Sequence, residues 1–305
     1  MHSKFMHRGF EMVRALSFFL VFSYTAVAQA SKCPLGSRWD KKTLRCRKKN
    51  TNRRVRREGV EMVKVSPGDF TMGWPAKNHK NRGYFPKVKV KITKAYYISV
   101  HEITQKLYKK IMGSNPSFNQ TCGDKCPVEN VTFIDAVKFC NKLSKKYKFS
   151  ECYAISKSLE VKWNRKCTGY RLPTEAEWEF AARAGDTSLK SANFSQQVWS
   201  ASNSGTHQYR SEALKTVKSK LPNAWGIYDM LGNVFEWTVS INGQSFLTPQ
   251  TDPVHLLKPG SERIFRGGSY LSSPYSINYS YRSSALPGHK YGTIGFRVAR
   301  SIGKW

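Results

Sequence analysis

Acidic residues are scarce in this sequence. Only 20 Asp and Glu stand against 51 Lys and Arg in 305 residues, a formal net charge of +31. The sequence also has no apolar run long enough to span a bilayer: the longest, from Ala15 to Ala28, is about 14 residues against the roughly 20 a transmembrane helix needs. The 7 histidines are scattered singly, with no H-x-x-H or H-E-x-x-H spacing, so a zinc or histidine-ligated iron site has no local support. No Walker loop, nucleophile elbow or dinucleotide fingerprint occurs. Generic motif reading therefore identifies no enzyme class.

What is present begins with Lys4, Arg8 and Arg14 ahead of that apolar run, which closes on Ala28-Gln29-Ala30. This pattern reads as a signal peptide over residues 1–30, so the mature chain is expected to be exported, periplasmic or extracellular, with no transmembrane segment. In that setting the positive charge points to anionic envelope polymers such as surface polysaccharide, lipid headgroups or acidic wall polymers, rather than to nucleic acid. All 7 cysteines follow the export segment, which makes disulfides the expectation. Spacing suggests Cys33 with Cys46, Cys122 with Cys126, and Cys152 with Cys167, leaving Cys140 as a buried thiol on the apolar face of a helix. Residues 31–58 form a basic, cysteine-bracketed segment and linker, with twelve Lys or Arg between Lys32 and Arg57. Such a tract repels itself, cannot form a core, and is expected to govern adhesion to anionic surfaces.

From Val60 the pattern changes to that of a globular domain over residues 59–303. E-M-V-K-V followed by S-P-G-D-F reads as a strand and turn, and K-V-K-V-K-I alternates as a half-buried strand does. T-F-I-D at Thr132 is a capping box, with Ala136, Val137, Cys140 and Leu143 on one face of the helix it starts. A second helix is capped by Thr174 with Glu177 and ends at Gly185. After that, short apolar pieces are punctuated by Gly, Ser, Asn and Pro. The expected class is α+β, loop-rich, in a single domain.

Three blocks in order carry a resemblance. G-Y-R-L-P-T-E-A-E-W-E-F-A-A-R-A-G (Gly169 to Gly185), N-A-W-G-I-Y-D-M-L-G-N-V-F-E-W-T (Asn223 to Thr238), and R-G-G-S-Y with G-F-R-V-A, ending at Ala299, resemble the formylglycine-generating enzyme (sulfatase-modifying factor) family. The resemblance covers roughly residues 60 to 302 and implies a variant of the C-type lectin fold, with a twisted core sheet, two helices and long loops often held by calcium. In the enzymes of this family two cysteines after G-G-S-Y bind copper and oxidise a substrate cysteine to formylglycine. The first position matches Ser272, and the second matches Ser276, with Ile277 as the competing alignment. Neither is a thiol, and cuprous ion wants thiolate rather than hydroxyl, so copper is not expected. The tryptophan that helps line the family's oxygen pocket is Phe235 here.

The resemblance also implies a calcium loop whose ligand positions match Asp229, Gly232, Val234 and Glu236, a set of hard oxygens that suits calcium. A second calcium site is not expected, because only Asn193 and Phe194 are recognisable and no matching aspartate follows before Pro222. The stretch Arg266 to Arg282 holds four tyrosines and five serines, a composition shared by recognition loops. Its Ser269, Tyr270, Ser272, Tyr275, Asn278, Tyr279 and Tyr281 are the candidate contacts for a protein or glycan ligand. The reading is an exported, calcium-stabilised binding or assembly protein without the oxidase activity. Two alternatives stay open: a periplasmic oxidoreductase or maturation enzyme of the same family with different chemistry, and a lectin-fold variable protein of a diversity-generating retroelement, which such proteins resemble in their G-G-S-x and G-F-R blocks.

Overall fold

The computed structural model describes residues 37–40, 45–48, 54–57, 60–74, 86–205, 213–243, 248–254 and 260–302, the first three stretches by backbone alone. The expected export segment, Cys33 and the side chain of Cys46 lie outside that description. Strands β1 (Ser37–Asp40) and β2 (Arg45–Lys48) pair antiparallel in a unit of their own, with Ser37 opposite Lys48. The second unit runs from Asn52 onward. Its elements in chain order are β3 (Arg54–Arg57), β4 (Val60–Val65), β5 (Gly68–Met72), β6 (Val88–Ile92), β7 (Tyr96–Ser99), α1 (Gln105–Met112), α2 (Phe133–Lys146), β8 (Tyr153–Ile155), β9 (Val161–Trp163), β10 (Tyr170–Arg171), α3 (Glu175–Arg183) and α4 (Phe194–Gln197). They continue as β11 (Phe235–Ile241), β12 (Gln250–Thr251), β13 (Arg263–Arg266), β14 (Arg282–Ala285), β15 (Ile294–Gly295) and β16 (Ala299–Ser301).

A five-stranded antiparallel sheet in the order β10-β16-β7-β4-β3 divides the apolar residues into two cores. Successive strand residues point to opposite faces, and β4 uses both: Val60 and Met62 join one core, Val63 and Val65 the other. The first core packs against α2 through Ala136, Val137, Cys140 and Leu143, all fully buried. Burial of Val137 and of Leu143 contributes roughly 1.5–3 kcal/mol each. The second core packs against α3 through Ala176, Trp178, Phe180 and Ala181. A four-stranded sheet, β14-β13-β11-β15, carries the later motifs, with β15 parallel to β11 and the other pairs antiparallel. The alternation read in K-V-K-V-K-I holds in β6, where Val88, Val90 and Ile92 are buried and the lysines exposed.

Both capping boxes form: Thr132 Oγ1 accepts from the Asp135 amide and Thr174 Oγ1 from the Glu177 amide, with each acid bonded back to the cap. Helix α3 ends one residue earlier than expected, because Ala184 already takes the left-handed conformation (φ 47°) ahead of Gly185. Helix α1 was not anticipated. Thr104 caps it and Gly113 (φ 94°) terminates it, and Leu107, Tyr108, Ile111 and Met112 pack on the first core, but at eight residues the stripe repeats only once. Cys122–Cys126 and Cys152–Cys167 are disulfides, and Cys140 is a buried thiol whose pKa burial pushes up.

All nine residues of α3 are buried, including three glutamates and Arg183. Every one of these charges is paired. Glu177 binds Arg171 through both oxygens at 2.6 and 2.7 Å, while Arg266 bridges Glu175 at 2.6 Å and Glu179 at 2.5 Å. Arg183 adds a 2.7 Å bond to Glu179, and Arg282 a 3.0 Å contact to Glu175. Burial alone would raise the Glu179 pKa, but Arg266 and Arg183 pull it below the ordinary carboxylate range. A carboxylate depressed in the fold stabilises above its unfolded pKa and loses that contribution as pH falls through the folded one. Glu179→Ala therefore removes the carboxylate from buried Arg183 and one of two from Arg266 and is expected to cost about 3–5 kcal/mol, read as a lower urea midpoint at neutral pH, with the gap to wild type narrowing in acid.

Candidate functional site

Arg266 ends β13 and is followed by Gly267 (φ 98°) and Gly268 (φ 81°), a turn only glycine takes easily. Space excludes a side chain as well: a Cβ at Gly267 would lie 2.9 Å from the Met230 carbonyl oxygen, and one at Gly268 would lie 2.7 Å from Ile277 Cγ1. Beyond its two glutamates, Arg266 donates to the carbonyl of Tyr279 at 2.6 Å. One guanidinium thus closes the base of a loop running from Gly267 to Tyr281.

Within this loop the tyrosine and serine side chains divide. Ser269, Tyr270, Asn278 and Tyr279 are buried, contrary to their expected role as contacts. Each has internal work. Ser269 Oγ lies 3.2 Å from Ser272 Oγ, and Tyr270 donates to the Gly292 carbonyl at 3.2 Å. Asn278 Oδ1 accepts from the amides of Ser280 and Tyr281 at 2.9 and 2.8 Å, and Tyr279 donates to Asp186 at 3.1 Å beneath the Arg183 guanidinium. Burying a hydroxyl or amide demands such partners, so a polar composition alone does not distinguish a wet face from a bonded interior. Ser272 and Tyr281 remain half-buried, and Tyr275 at the tip is 88% exposed.

At the positions matched to the family's cysteines, Ser272 Oγ accepts from the Ser269 amide at 3.0 Å, and Ser276 Oγ donates to the Ser273 carbonyl at 2.9 Å. Ile277 is fully buried in the second core. Phe235 is half-buried, its ring packed edge-on to Phe265 at 5.1 Å.

The expected calcium loop turns as its residues suggest: Asp229 (φ 54°), Gly232 (φ 79°) and Asn233 (φ 56°) are all left-handed. A Cβ at Gly232 would lie 2.0 Å from the Trp199 carbonyl oxygen. Glu236, fully buried, is held by Arg297, whose Nε and Nη2 donate at 2.6 and 2.7 Å, and by the Trp178 indole at 2.7 Å. Asp229 accepts from the Lys218 amide at 2.7 Å and also lines a small, partly open cavity with Asn223, Ile227 and Leu231. Burial raises its pKa to about 6 against the pull of that amide and of Arg297. Glu102 completes the cluster and was missed in the sequence. It is fully buried, neither carboxylate oxygen has a hydrogen-bond partner, and its pKa is raised well above the usual range, first by burial and then by Asp229 and Glu236. Lying more than a hundred residues before the loop, it gave no local signal. At Asn193 and Phe194, the Asn193 carbonyl accepts from the amides of Gln196 and Gln197 and the Phe194 carbonyl from that of Val198. Among the described residues no group of three or more His, Cys, Asp or Glu is arranged to hold a metal by side chains alone.

A family model described as Sulfatase-modifying factor enzyme 1-like domain matches residues 47–302. The chain is 33% identical over 236 residues to a protein named chaperone protein LppX of Paenibacillus barcinonensis, spanning 68% of this chain and 80% of that one. It is 26% identical over 295 residues to formylglycine-generating enzyme of Bos taurus, spanning 79% and 74%. Among solved structures, Treponema denticola variable protein 1 superposes with a TM-score of 0.70 at 28% identity, covering 83% of this chain and 100% of that one.

The unpartnered Glu102 has a measurable consequence. A carboxylate whose folded pKa is raised destabilises the fold at every pH above its unfolded value. In metal-free buffer at neutral pH, Glu102→Gln is expected to melt higher than wild type by a few degrees, with the difference vanishing in mild acid. A variant that melts lower throughout would show Glu102 to be paired in solution.

Proposed function

The chain belongs to the sulfatase-modifying factor enzyme 1-like family, and on that footing we propose that it is an exported, calcium-stabilised binding protein without cysteine-to-formylglycine oxidase activity. The observation that carries the proposal is the content of the two thiol positions. Ser272 and Ser276 are hydroxyls engaged in turns, and the competing Ile277 is apolar and sealed against Gly268. Cuprous copper is held by soft thiolates, which these side chains cannot supply. The same loop instead displays Tyr275 on a base locked by Arg266. A rigid aromatic on a fixed base contacts a ligand at low entropic cost. A structural neighbour that bears the name variable protein, and a relative that bears the name chaperone protein, are in keeping with binding as a use of this domain. Two disulfides fit an oxidising compartment, and no helix among the described residues is long and apolar enough to cross a membrane.

Calcium fits the charge left over in the buried cluster. Glu102, Asp229 and Glu236 face one guanidinium, that of Arg297, while Lys218 is paired with Glu61 at 2.8 Å. With all three ionised, two negative charges would remain to be balanced, and a divalent cation that prefers oxygen ligands and tolerates irregular geometry suits them. Glu102 and Asp229 would hold it with the backbone oxygens of Gly232 and Val234. Glu236, whose Oε1 and Oε2 are both taken by Arg297, would contribute negative charge to the site rather than a ligand oxygen. When bound, the ion supplies positive charge that fixes the loop leading into β11.

Two measurements test this. A peptide carrying the sulfatase cysteine motif, incubated with the protein, copper and oxygen, is expected to keep its thiol by mass spectrometry; formylglycine would overturn the reading. Calcium in excess over chelator is expected to raise the melting temperature of wild type by several degrees but not that of Asp229→Asn or Glu102→Gln. An equal response in all three would place the ion elsewhere.

A further inference from the structure

Beside the Gly267–Tyr281 loop lie two other segments without a single Asp or Glu. Residues 187–205, 213–222 and 267–281 are all free of acids, and carboxylates meet them at Tyr279 (Asp186) and at Lys218 (Asp229 and Glu61), away from Lys190, Lys215, Lys220 and Tyr275. Hydrogen bonds join the three into one surface. Ala201 donates to the Ser272 carbonyl at 3.0 Å, Leu221 to the Gln196 carbonyl at 2.9 Å, and Lys190 Nζ to the Pro274 carbonyl at 2.7 Å, while Lys220 Nζ donates to the Ser195 carbonyl.

Cations on this surface are positioned by aromatic rings. Lys220 Nζ stands 4.2 Å and Lys215 Nζ 5.7 Å from the centroid of Trp199, whose indole is itself fixed by a 2.9 Å bond to Ser219. Lys190 Nζ lies 5.6 Å from Phe194 and 5.8 Å from Tyr275. Cation–π contact restrains a lysine that would otherwise be mobile, so less entropy is lost when an anion arrives. Among the aromatic rings of these segments Tyr275 alone is fully open, and exposed Ser202, Ser219 and Ser273 surround the lysines.

We propose that this face binds an acidic polysaccharide, with Lys190, Lys215 and Lys220 contacting its anionic groups and Tyr275 packing on a sugar ring. The assignment rests on the reading that the domain binds rather than oxidises. Hydroxyl-rich ligands suit serine, which both donates and accepts. A single-stranded nucleic acid is the weaker fit, because such platforms stack successive bases on several open rings, and this face has one.

The test uses the full chain, so that the basic tract before the domain contributes the same background to every variant. Binding to immobilised polygalacturonate is compared with binding to polyglutamate and to oligodeoxythymidine, at low and high salt. Wild type is expected to prefer polygalacturonate. Lys215→Glu with Lys220→Glu is expected to weaken that binding by about tenfold or more. Lys142→Glu with Lys145→Glu, which removes the same charge from the exposed side of α2, is expected to change it less than about twofold. Tyr275→Ala is expected to erase the preference for polygalacturonate over polyglutamate. Equal losses in both double variants, tighter binding to oligodeoxythymidine, or a Tyr275→Ala protein indistinguishable from wild type would each overturn the proposal. Absence of polygalacturonate binding with the peptide thiol intact rejects this ligand class alone; formylglycine formation removes the underlying reading with it.

Discussion

The Arg266 guanidinium, driven between Glu175 and Glu179, is the contact on which the ligand-facing half of the domain depends. Its cost is high: a charge this deep is tolerated only with close, hydrogen-bonded partners. Meeting that condition couples three things. Helix α3 must present two glutamates one turn apart, β13 must end beside it, and the loop must return so that the Tyr279 carbonyl accepts from the same nitrogen as Glu179, with Arg266 Nε left without a partner among the described residues. The Gly267-Gly268 turn is the backbone solution that lets the chain leave β13 without displacing Met230 or Ile277. The loop tip is thereby freed from holding itself together, and residues 271 to 276 can face outward.

The acidic cluster around Glu102 obeys the opposite electrostatics. Around α3 the buried acids are matched by arginines, and their pairing lowers the pKa of Glu179. Around Arg297 the acids outnumber the guanidinium, and burial raises the pKa of Glu102 and Asp229 instead. A balanced network holds a fold without help, whereas an unbalanced one calls for a proton or a cation. The domain therefore separates a self-sufficient ionic scaffold from a site that a bound ion would complete, and both support the turn from which β11 begins.

Much of the architecture was legible because it is local. Capping boxes at Thr132 and Thr174, alternation in β6, the apolar face of α2 and the left-handed turn at Gly232-Asn233 each arise within a few residues, where propensity and hydrogen bonding act directly. The Cys122–Cys126 and Cys152–Cys167 spacings were informative for the same reason. Helix α1 escaped because it is only eight residues long, so its stripe of Leu107, Tyr108, Ile111 and Met112 repeats just once.

What the sequence determined by itself was the lack of thiols at Ser272 and Ser276, the positive charge, and the order of motifs that marks the family. Only the tertiary structure decided which polar side chains face water. Helix α3, E-A-E-W-E-F-A-A-R, carries three acids yet is buried on every side, because arginines from β10, β13 and β14 arrive to neutralise it. Tyr270 and Tyr279 read like Tyr275, yet they are buried and bonded while Tyr275 is open. Glu102 joins Asp229 and Glu236 across more than a hundred residues. Burial and charge pairing are properties of the space around a residue, and that space is filled by segments distant in the chain.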